Sequence, residues 1–356
     1  MDTINVGIIG TGSISSAHVE AYQRLPGVRV IAACSTNAER AGRFAARYGI
    51  PHVFTDHREL LAMEKLCAVS VATWNNSHAP ISIAALRAGK HVLCEKPLAM
   101  NAAEAADMVA TARDTGKLLM VGMCRRFSEK ARALRAMVER GDLGSLYYAK
   151  TGYIRRWGNP GGWFANKQLS GGGPVIDLGV HIIDLVRFLA GGPRATAVSA
   201  AVFDRLGMRP EVRGVSKYRS ASYSEYNDVE DGATALIRFD SGLVLTAEVS
   251  WVQNIKEDRM YLELYGDRAG AQLDPEFEIY GNIGPHLTDT RPLIDPELNR
   301  SRHSINEQAA HFIDCIANGT PCLSPAEDGL EMMRIIDAIY ESARQGREIT
   351  IDRSEP

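Results

Sequence analysis

The feature that most constrains the fold is an alternation of short apolar runs and helical patterns through the first 125 residues. Apolar runs predict strands at 6–9, 28–34, 52–54, 68–72, 91–94 and 118–121. Helical patterns lie between them at 13–24, 38–48, 58–61, 79–88 and 102–115. Such alternation predicts an α/β domain with a doubly wound parallel sheet and helices on both faces. Ligands of these sheets bind beyond the carboxyl ends of the strands.

The first strand-to-helix turn, GTGSIS, has the spacing of a dinucleotide-binding turn with one departure. Gly10 and Gly12 allow a tight turn and a close approach of a pyrophosphate to the helix N-terminus, where free N–H groups favour an anion. Ser15 stands where a third glycine is usual. We count Gly10, Gly12, Ser13 and Ile14 as candidate cofactor contacts. A glycine bend without a ligand is the alternative.

The end of the second strand bears on which dinucleotide binds. An acidic residue there would bond the ribose 2′-hydroxyl of NAD, but the chain reads AACSTNAERA. Ser35 and Thr36 offer neutral donors, and Arg40 can pair with a phosphate. These residues favour NADP(H), with NAD(H) possible. Alternatively, Arg40 is a solvated helix residue.

From about residue 146 the pattern changes to consecutive strands. Apolar runs predict strands at 146–154, 195–203, 233–239, 243–252, 259–265 and 272–273. Helices are predicted at 175–189, 304–318 and 327–344. This pattern predicts a mostly antiparallel sheet in an α+β domain. We expect a nucleotide-binding domain at 1–124, a substrate-binding and oligomerisation domain at 125–326, and a C-terminal helix and strand at 327–356 that return to the N-terminal domain.

Charge and cysteine content exclude several classes of function. A net charge of −3 over 356 residues gives no electrostatic reason to expect nucleic acid or an anionic membrane. No apolar run approaches the roughly 20 residues of a membrane span, and the N-terminus lacks a basic signal-peptide region. Six cysteines without a C-x-x-C pair predict free thiols in a reducing cytoplasm. We recognise no set of cysteines and histidines with the short spacing of a zinc site, so the sequence predicts no metal.

Two stretches carry residues suited to acid–base chemistry. In HVLCEKPLAM a strand ends at Glu95, Lys96 and Pro97. In SGGGPVIDLGVHIIDL a glycine-rich turn opens a helix that carries Asp177 and His181. Their i, i+4 spacing places these two side chains on one helical face. A carboxylate beside an imidazole can orient it and bring its pKa towards neutrality, as general acid–base catalysis requires.

The chain resembles the glucose–fructose oxidoreductase / inositol dehydrogenase (Gfo/Idh/MocA) family. The matching stretches are GIIGTGSIS, ATWNNSHAP, CEKPLA, GGGPVIDLGVHIIDL and SPAEDGLEMMRIIDAIYESA, in the family's order and over nearly the whole chain. The resemblance implies an N-terminal Rossmann domain and a C-terminal α+β domain with an open, mostly antiparallel sheet. It also implies homodimers or homotetramers formed through that sheet.

The resemblance implies roles for the residues in these motifs. Lys96 would contact the substrate hydroxyl and the nicotinamide, and would stabilise a developing alkoxide. Asp177 and His181 would take the substrate-binding and acid–base positions, with His181 the base that accepts the hydroxyl proton. Each residue has a structural alternative: Lys96 as a surface lysine before a proline turn, His181 as a buried helix histidine.

Weaker candidates surround the expected cleft. The resemblance places Thr73, Asn75, His78, Glu95 and Arg125 on the cofactor, although Trp74 replaces the family's usual proline and leaves that loop's details open. In YIRRWGNPGGWFANK, Trp157 and Trp163 could stack on a sugar ring while Arg156 and Lys167 bond its hydroxyls. The alternative is that these aromatic rings pack the loop onto its domain.

Three functions are therefore open. The first is an NAD(P)-dependent dehydrogenase or reductase that moves hydride between nicotinamide C4 and a secondary alcohol or ketone of a sugar, sugar derivative or polyol. The second is an NAD-dependent glycosidase that oxidises its sugar transiently and eliminates the glycosidic substituent. The third is a non-catalytic, nucleotide-sensing regulator, which has no need for Lys96 and His181.

Overall fold

The chain forms two compact units in this computed structural model, which describes residues 3–212, 219–220 and 223–352. Unit 1 comprises Met1–Ser128 and Arg300–Leu330, and unit 2 comprises Glu129–Asn299 and Glu331–Pro356. The confirmed fold class is α/β, with a parallel sheet in unit 1 and a mostly antiparallel sheet in unit 2.

The sheet of unit 1 contains six described strands, all parallel, in the order β3-β2-β1-β4-β5-β6. They are β1 Ile4–Ile9, β2 Val28–Cys34, β3 His52–Phe54, β4 Ala68–Val71, β5 His91–Glu95 and β6 Leu119–Gly122. The connecting helices are α1 Ser13–Tyr22, α2 Ala38–Tyr48, α3 His57–Leu61, α4 His78–Arg87 and α5 Ala102–Thr115. This strand order is that of the dinucleotide-binding Rossmann fold, with its switch point beside β1.

The sheet of unit 2 has nine described strands in the order β14-β13-β12-β11-β7-β10-β9-β8-β15. They are β7 Leu146–Ile154, β8 Ala195–Phe203, β9 Gly232–Phe239, β10 Val244–Ser250, β11 Arg259–Gly266, β12 Gly270–Asp274, β13 Glu278–Ile283, β14 His286–Thr290 and β15 Ile349–Thr350. Only β7 and β10 pair in parallel among them.

The remaining helices are α6 Glu129–Glu139, α7 Lys167–Ser170, α8 Val180–Leu189, α9 Ser301–Asn318 and α10 Ala326–Gln345. A π-helical turn, Val175–Gly179, leads directly into α8. The segment Lys167–Leu189 has the length and hydropathy of a membrane span, but 78% of its apolar window is buried inside the protein. Such burial is typical of a core helix.

The expected domain boundaries are wrong in two places. Helix α9 was placed with the second domain, yet it belongs to unit 1, where Phe312 is fully buried in one core with Val19 and Tyr22. The C-terminal strand was expected to return to the N-terminal domain, yet β15 pairs with β8 in unit 2. Apolar periodicity shows which face of an element is buried, but it does not show which partner covers that face.

Candidate functional site

The candidate cofactor residues lie at the carboxyl edge of the parallel sheet of unit 1. Gly10 follows β1, Ser35 follows β2 and Thr73 follows β4. Glu95 ends β5, with Lys96 next to it, and Arg125 lies in the 3-10 turn after β6. Because the strands are parallel, their carboxyl ends share one edge, where ligands of this fold bind. The sequence-predicted cofactor residues of this unit are therefore all on or beside that edge.

The glycine turn has the shape that a pyrophosphate requires. Gly10 has φ +102°, and a Cβ there would lie 2.2 Å from the carbonyl oxygen of Ala72, so a side chain is excluded. Gly12 begins α1 without a side-chain cap, and a Cβ there would meet no atom within 4 Å. The first turn of α1 contains no acidic residue. Open space beside uncapped helical N–H groups is suited to an anion.

The departure at Ser15 does not disturb the turn. The third glycine of the fingerprint serves close packing between helix and strand. Ser15 is fully buried, and its small side chain fits that position.

Glu95 is held by a residue that the sequence analysis did not single out. The His18 Nε2 lies 2.9 Å from the Glu95 Oε1, and His18 is 1% exposed. Burial opposes ionisation of Glu95, but the hydrogen bond with His18 and the neighbouring groups, Lys96 among them, together place the Glu95 pKa below its ordinary value. A Cβ on Gly122 would lie 2.8 Å from Glu95 Oε1, so this glycine makes room for the carboxylate.

The signal for His18 was present in the sequence. It lies four residues after Ile14 and four before Tyr22, on the apolar stripe of α1. A histidine on such a stripe needs a buried polar partner. Its partner, however, lies 77 residues further along the chain.

His78 lies between two backbone segments. Its Nδ1 is 2.7 Å from the Pro97 carbonyl oxygen, and its Nε2 is 3.3 Å from that of Thr73. Burial lowers the pKa of His78, although its hydrogen bonds to the Pro97 and Thr73 carbonyls oppose that shift. Its geometry supports a role in holding the loop after Lys96, and the predicted cofactor contact remains a prediction.

Lys96 and Arg125 are both half-buried at this edge. The Lys96 amide donates to Glu95 Oε2 at 3.3 Å. The neighbour of Arg125, Arg126, is 1% exposed and pairs with Asp328 at 2.6 Å and with the Leu323 carbonyl at 2.7 Å. That buried pair fixes the turn that carries Arg125.

The residue that caps the start of α2 is not one of the candidate cofactor residues. Asn37 is the N-cap of α2, and its side chain accepts the Arg40 amide at 2.8 Å. Ser35 is half-buried, whereas Thr36 and Arg40 are exposed. Their side chains are therefore accessible to a ligand.

In unit 2, Asp177 and His181 occupy the junction between the π-helical turn and α8. The Asp177 Oδ2 accepts a 3.0 Å hydrogen bond from the indole Nε1–H of Trp251, which is fully buried after β10. Both Asp177 and His181 are half-buried. Single π-helical turns inside helices occur frequently at functional sites.

The glycine-rich turn before Asp177 is fixed by a buried carboxylate. Glu230 is 7% exposed and accepts hydrogen bonds from the amides of Gly173, at 2.9 Å, and Val175, at 3.0 Å. The hydroxyl of Tyr340 donates to it at 2.9 Å. Burial raises the pKa of Glu230, although its hydrogen bonds favour the charged form. Its only signal in the sequence was an acidic pair, Glu230 and Asp231, directly before a strand.

The four sugar-binding candidates of unit 2 have different environments. Trp157 is 9% exposed and forms a backbone bridge with Val252, which supports packing of the loop, and its stacking role remains a prediction. The Arg156 guanidinium donates to the Lys256 carbonyl at 2.9 Å. Trp163 is half-buried, with its ring centroid 3.9 Å from that of Phe164. Lys167 is exposed at the start of α7.

Comparisons with known proteins agree with this architecture. Residues 4–123 match the oxidoreductase family with an NAD-binding Rossmann fold (GFO_IDH_MocA), and residues 135–351 match that family's C-terminal alpha/beta domain. The chain is 33% identical to D-glucoside 3-dehydrogenase of Escherichia coli strain K12, covering 98% of this chain and 97% of that protein. It is 28% identical to levoglucosan dehydrogenase of Pseudarthrobacter phenanthrenivorans, covering 96% of this chain and 97% of that protein.

Solved structures show the same likeness. An oxidoreductase domain protein from Kribbella flavida superposes with a TM-score of 0.87 at 26% identity, covering 99% of this chain and 100% of that one. Levoglucosan dehydrogenase in complex with NADH and L-sorbose superposes with a TM-score of 0.85 at 25% identity, covering 99% of this chain and 100% of that one. The predicted family, fold class and enzyme class are thereby confirmed, and the chain belongs to the Gfo/Idh/MocA family of NAD-binding oxidoreductases.

Proposed function

We propose that this protein oxidises a secondary hydroxyl of a sugar, sugar derivative or polyol, or reduces the corresponding ketone. The observation that supports the proposal is the placement of Asp177 and His181 four residues apart at one helical junction, which Trp251 and Glu230 hold in place. Relatives named as glucoside and levoglucosan dehydrogenases support a carbohydrate as the substrate.

The residues divide the chemistry between them. A bound nicotinamide supplies the hydride acceptor at C4. His181 accepts the proton of the substrate hydroxyl as general base. Lys96 donates a hydrogen bond to the same oxygen and stabilises the negative charge that develops there. Asp177, with one oxygen already held by the Trp251 indole, fixes a neighbouring hydroxyl or the imidazole.

The experiment measures absorbance at 340 nm, where reduced nicotinamide absorbs, for the purified chain with either dinucleotide and a panel of glucosides, anhydrosugars and polyols. We expect turnover by the wild type. Lys96→Met and His181→Asn should each lose at least about 100-fold in kcat/KM, the contribution typical of a proton-transfer group. The exposed residues Lys65 and His52 supply matched controls, Lys65→Met and His52→Asn.

The double variant tests whether the two residues act as one unit. If they do, losses in Lys96→Met/His181→Asn should be far from additive. Folded protein without activity on any member of the panel would contradict the proposal. Release of nitrophenol from an aryl glycoside without net reduced cofactor would replace it with transient oxidation and elimination.

We propose further that NADP(H) is the preferred dinucleotide. The exposed Thr36 and Arg40 and the half-buried Ser35 support this preference, because they offer neutral donors and a guanidinium where a 2′-phosphate would lie. Fluorescence titrations with NADPH and NADH test it. Arg40→Ala should weaken NADPH binding and leave NADH binding unchanged, while tighter binding of NADH by the wild type would refute the preference.

We also propose that the protein is a cytoplasmic homodimer or homotetramer. The six cysteines are free thiols, which supports a reducing compartment. On the sheet of unit 2, the ring centroids of Tyr148 and Tyr265 are 5.5 Å apart and stacked, and Lys150 Nζ lies 5.6 Å from the first centroid and 5.5 Å from the second. Tyrosine side chains are enriched at protein–protein interfaces. Light scattering after size-exclusion chromatography should give two or four chains, and Tyr148→Glu should dissociate them; a monomeric wild type would contradict this.

A further inference from the structure

Three metal-binding side chains come together in unit 1, beside the 3-10 turn Cys124–Phe127 that follows β6. His311 and Cys315 lie one turn apart on α9, and Cys322 follows shortly after the helix ends at Asn318. The Cys315 Sγ is 3.4 Å from the His311 Nε2. The three possible ligand atoms all lie within 4.8 Å of one another. No C-x-x-C motif marks the set, which is why the sequence predicted no metal.

The separations are close to those of a tetrahedral metal site. Zinc binds thiolate sulfur at about 2.3 Å and imidazole nitrogen at about 2.0–2.1 Å, so ligand atoms of one tetrahedron lie roughly 3.6–3.8 Å apart. The observed spacing therefore requires movements of about 1 Å or less. All three side chains are half-buried, which shields an ion partly from water while leaving it a path of entry.

The protonation of His311 suits a metal ligand. The Leu323 amide donates to the His311 Nε2 at 2.9 Å, so that nitrogen carries a lone pair and the imidazole is in the form that metals bind. A cation would take the place of this amide proton.

The thiols are also supported by their surroundings. The backbone amide of Ser324 forms a hydrogen bond with the Cys322 sulfur. An amide that bonds the sulfur is the kind of outer-shell contact that stabilises a metal-bound thiolate. Zinc binds the thiolate form of cysteine, so binding at a thiol is coupled to release of its proton.

We propose that His311, Cys315 and Cys322 form a binding site for Zn²⁺. Histidine nitrogen and cysteine sulfur are the ligands that zinc prefers. The described residues supply three ligands, which leaves the fourth position to water.

The site would fasten α9 to the segment that follows it. That segment is tied to the sheet, because the Val121 amide donates to the Ser324 carbonyl at 2.9 Å and the Ser324 hydroxyl donates to the Val121 carbonyl at 2.8 Å. The ring of His311 lies 5.5 Å from that of Phe127. We expect zinc bound here to stabilise unit 1 by holding α9 to this segment.

The test uses the full chain, reduced and stripped of metal by a chelator. Titration with Co²⁺, a spectroscopic substitute for zinc, should give a thiolate-to-metal charge-transfer band that saturates at one ion per chain. Calorimetry should show one Zn²⁺ site. Cys315→Ser and Cys322→Ser should each weaken Zn²⁺ binding at least 100-fold, whereas Cys67→Ser, at a half-buried cysteine outside the cluster, should leave it unchanged.

Folding of each variant is checked by circular dichroism and by dinucleotide binding. Wild-type Tm should rise with Zn²⁺, and the rise should vanish in Cys322→Ser. A charge-transfer band that persists in both serine variants, or none in the wild type, would overturn the proposal. A disulfide site in place of a zinc site would also overturn the proposal. In that case mass spectrometry would show that the reduced chain binds no zinc. Peroxide would then oxidise Cys315 and Cys322 to a disulfide, with loss of two hydrogens from the chain and reduction of the peroxide to water.

Discussion

At the scale of single residues, the buried His18 and the half-buried Glu95 carry more of the site than their sequence context suggests. His18 contacts Glu95 at the end of β5, directly before Lys96. A buried carboxylate without its donor loses the interaction that offsets its desolvation. The pair therefore fixes the backbone from which Lys96 projects.

His18→Ala should destabilise the protein by about 1–3 kcal/mol, because it leaves Glu95 buried without its hydrogen-bond donor. The pKa of Glu95, now held low, should rise towards and beyond its ordinary value. Chemical denaturation measures the stability, and dinucleotide titration should show weaker binding. His52→Ala, at an exposed histidine of β3, is the control and should change neither. Equal stability of the two variants would show that the pair contributes nothing.

The glycine turn could be predicted from sequence, whereas this pair could not. Gly10 is required by local geometry, since its φ and its approach to Ala72 leave no room for a Cβ. Local requirements of this kind appear in the sequence as residue types at fixed spacing. The partner of His18 depends on the assembled sheet, and nothing in the helix itself specifies it.

At the scale of elements, the junction of the π-helical turn and α8 determines where Asp177 and His181 lie. Glu230 bonds two amides at its start, and Trp251 bonds Asp177 within it. The sequence predicted one helix over 175–189, and the structure has the π-helical turn Val175–Gly179 followed by α8. Apolar spacing does not distinguish these hydrogen-bond patterns, because both leave the same face buried.

Glu230→Gln should lower kcat by about 10- to 100-fold, since a shift of about 1 Å in a catalytic group costs up to 100-fold. The amide replaces one acceptor oxygen by a donor, which opposes the N–H of Gly173 or Val175. Steady-state kinetics on a substrate found in the panel measures the effect. Glu225→Gln, an exposed position of the same loop, should retain wild-type kcat. A Glu230→Gln enzyme with unchanged kcat would remove Glu230 from the positioning of the helix.

The raised pKa of Glu230 predicts a pH dependence of stability. A carboxyl whose pKa is higher in the folded state favours folding most below its unfolded pKa, about 4.3, and loses that contribution as pH rises through the folded pKa. The difference in unfolding free energy between the wild type and Glu230→Gln should therefore shift against the wild type as pH rises over this interval. Denaturation series at several pH values measure it, and a pH-independent difference would contradict the assignment.

At the scale of the whole molecule, each unit is built from two separate stretches of chain. The parallel sheet and the mixed sheet were both predictable from sequence. The periodicity of apolar residues along each element, and the spacing of the strands along the chain, reflect which residues are buried. The assignment of α9 to unit 1 was not predictable, because the apolar face of an amphipathic helix can be covered by either unit. Phe312 supplies the contact that decides it.

Phe312→Ala should destabilise unit 1 by about 3–5 kcal/mol, the usual effect of truncating a fully buried phenylalanine. Hydrogen exchange followed by mass spectrometry should show faster exchange in α1 and α9, because they share this core. Phe203→Ala, at a phenylalanine that is 46% exposed on β8, should leave exchange in α1 unchanged. If α1 kept its protection in Phe312→Ala, the packing of α9 would not support unit 1.

The late position of α9 in the chain has a consequence for biosynthesis. The apolar face of α1 emerges from the ribosome early, but the helix that covers it ends at Asn318. At a translation rate of about 5–20 residues per second, α9 is completed roughly 15 to 60 seconds after α1. During that interval the nascent nucleotide-binding unit carries an uncovered apolar surface, which favours aggregation until translation is nearly finished.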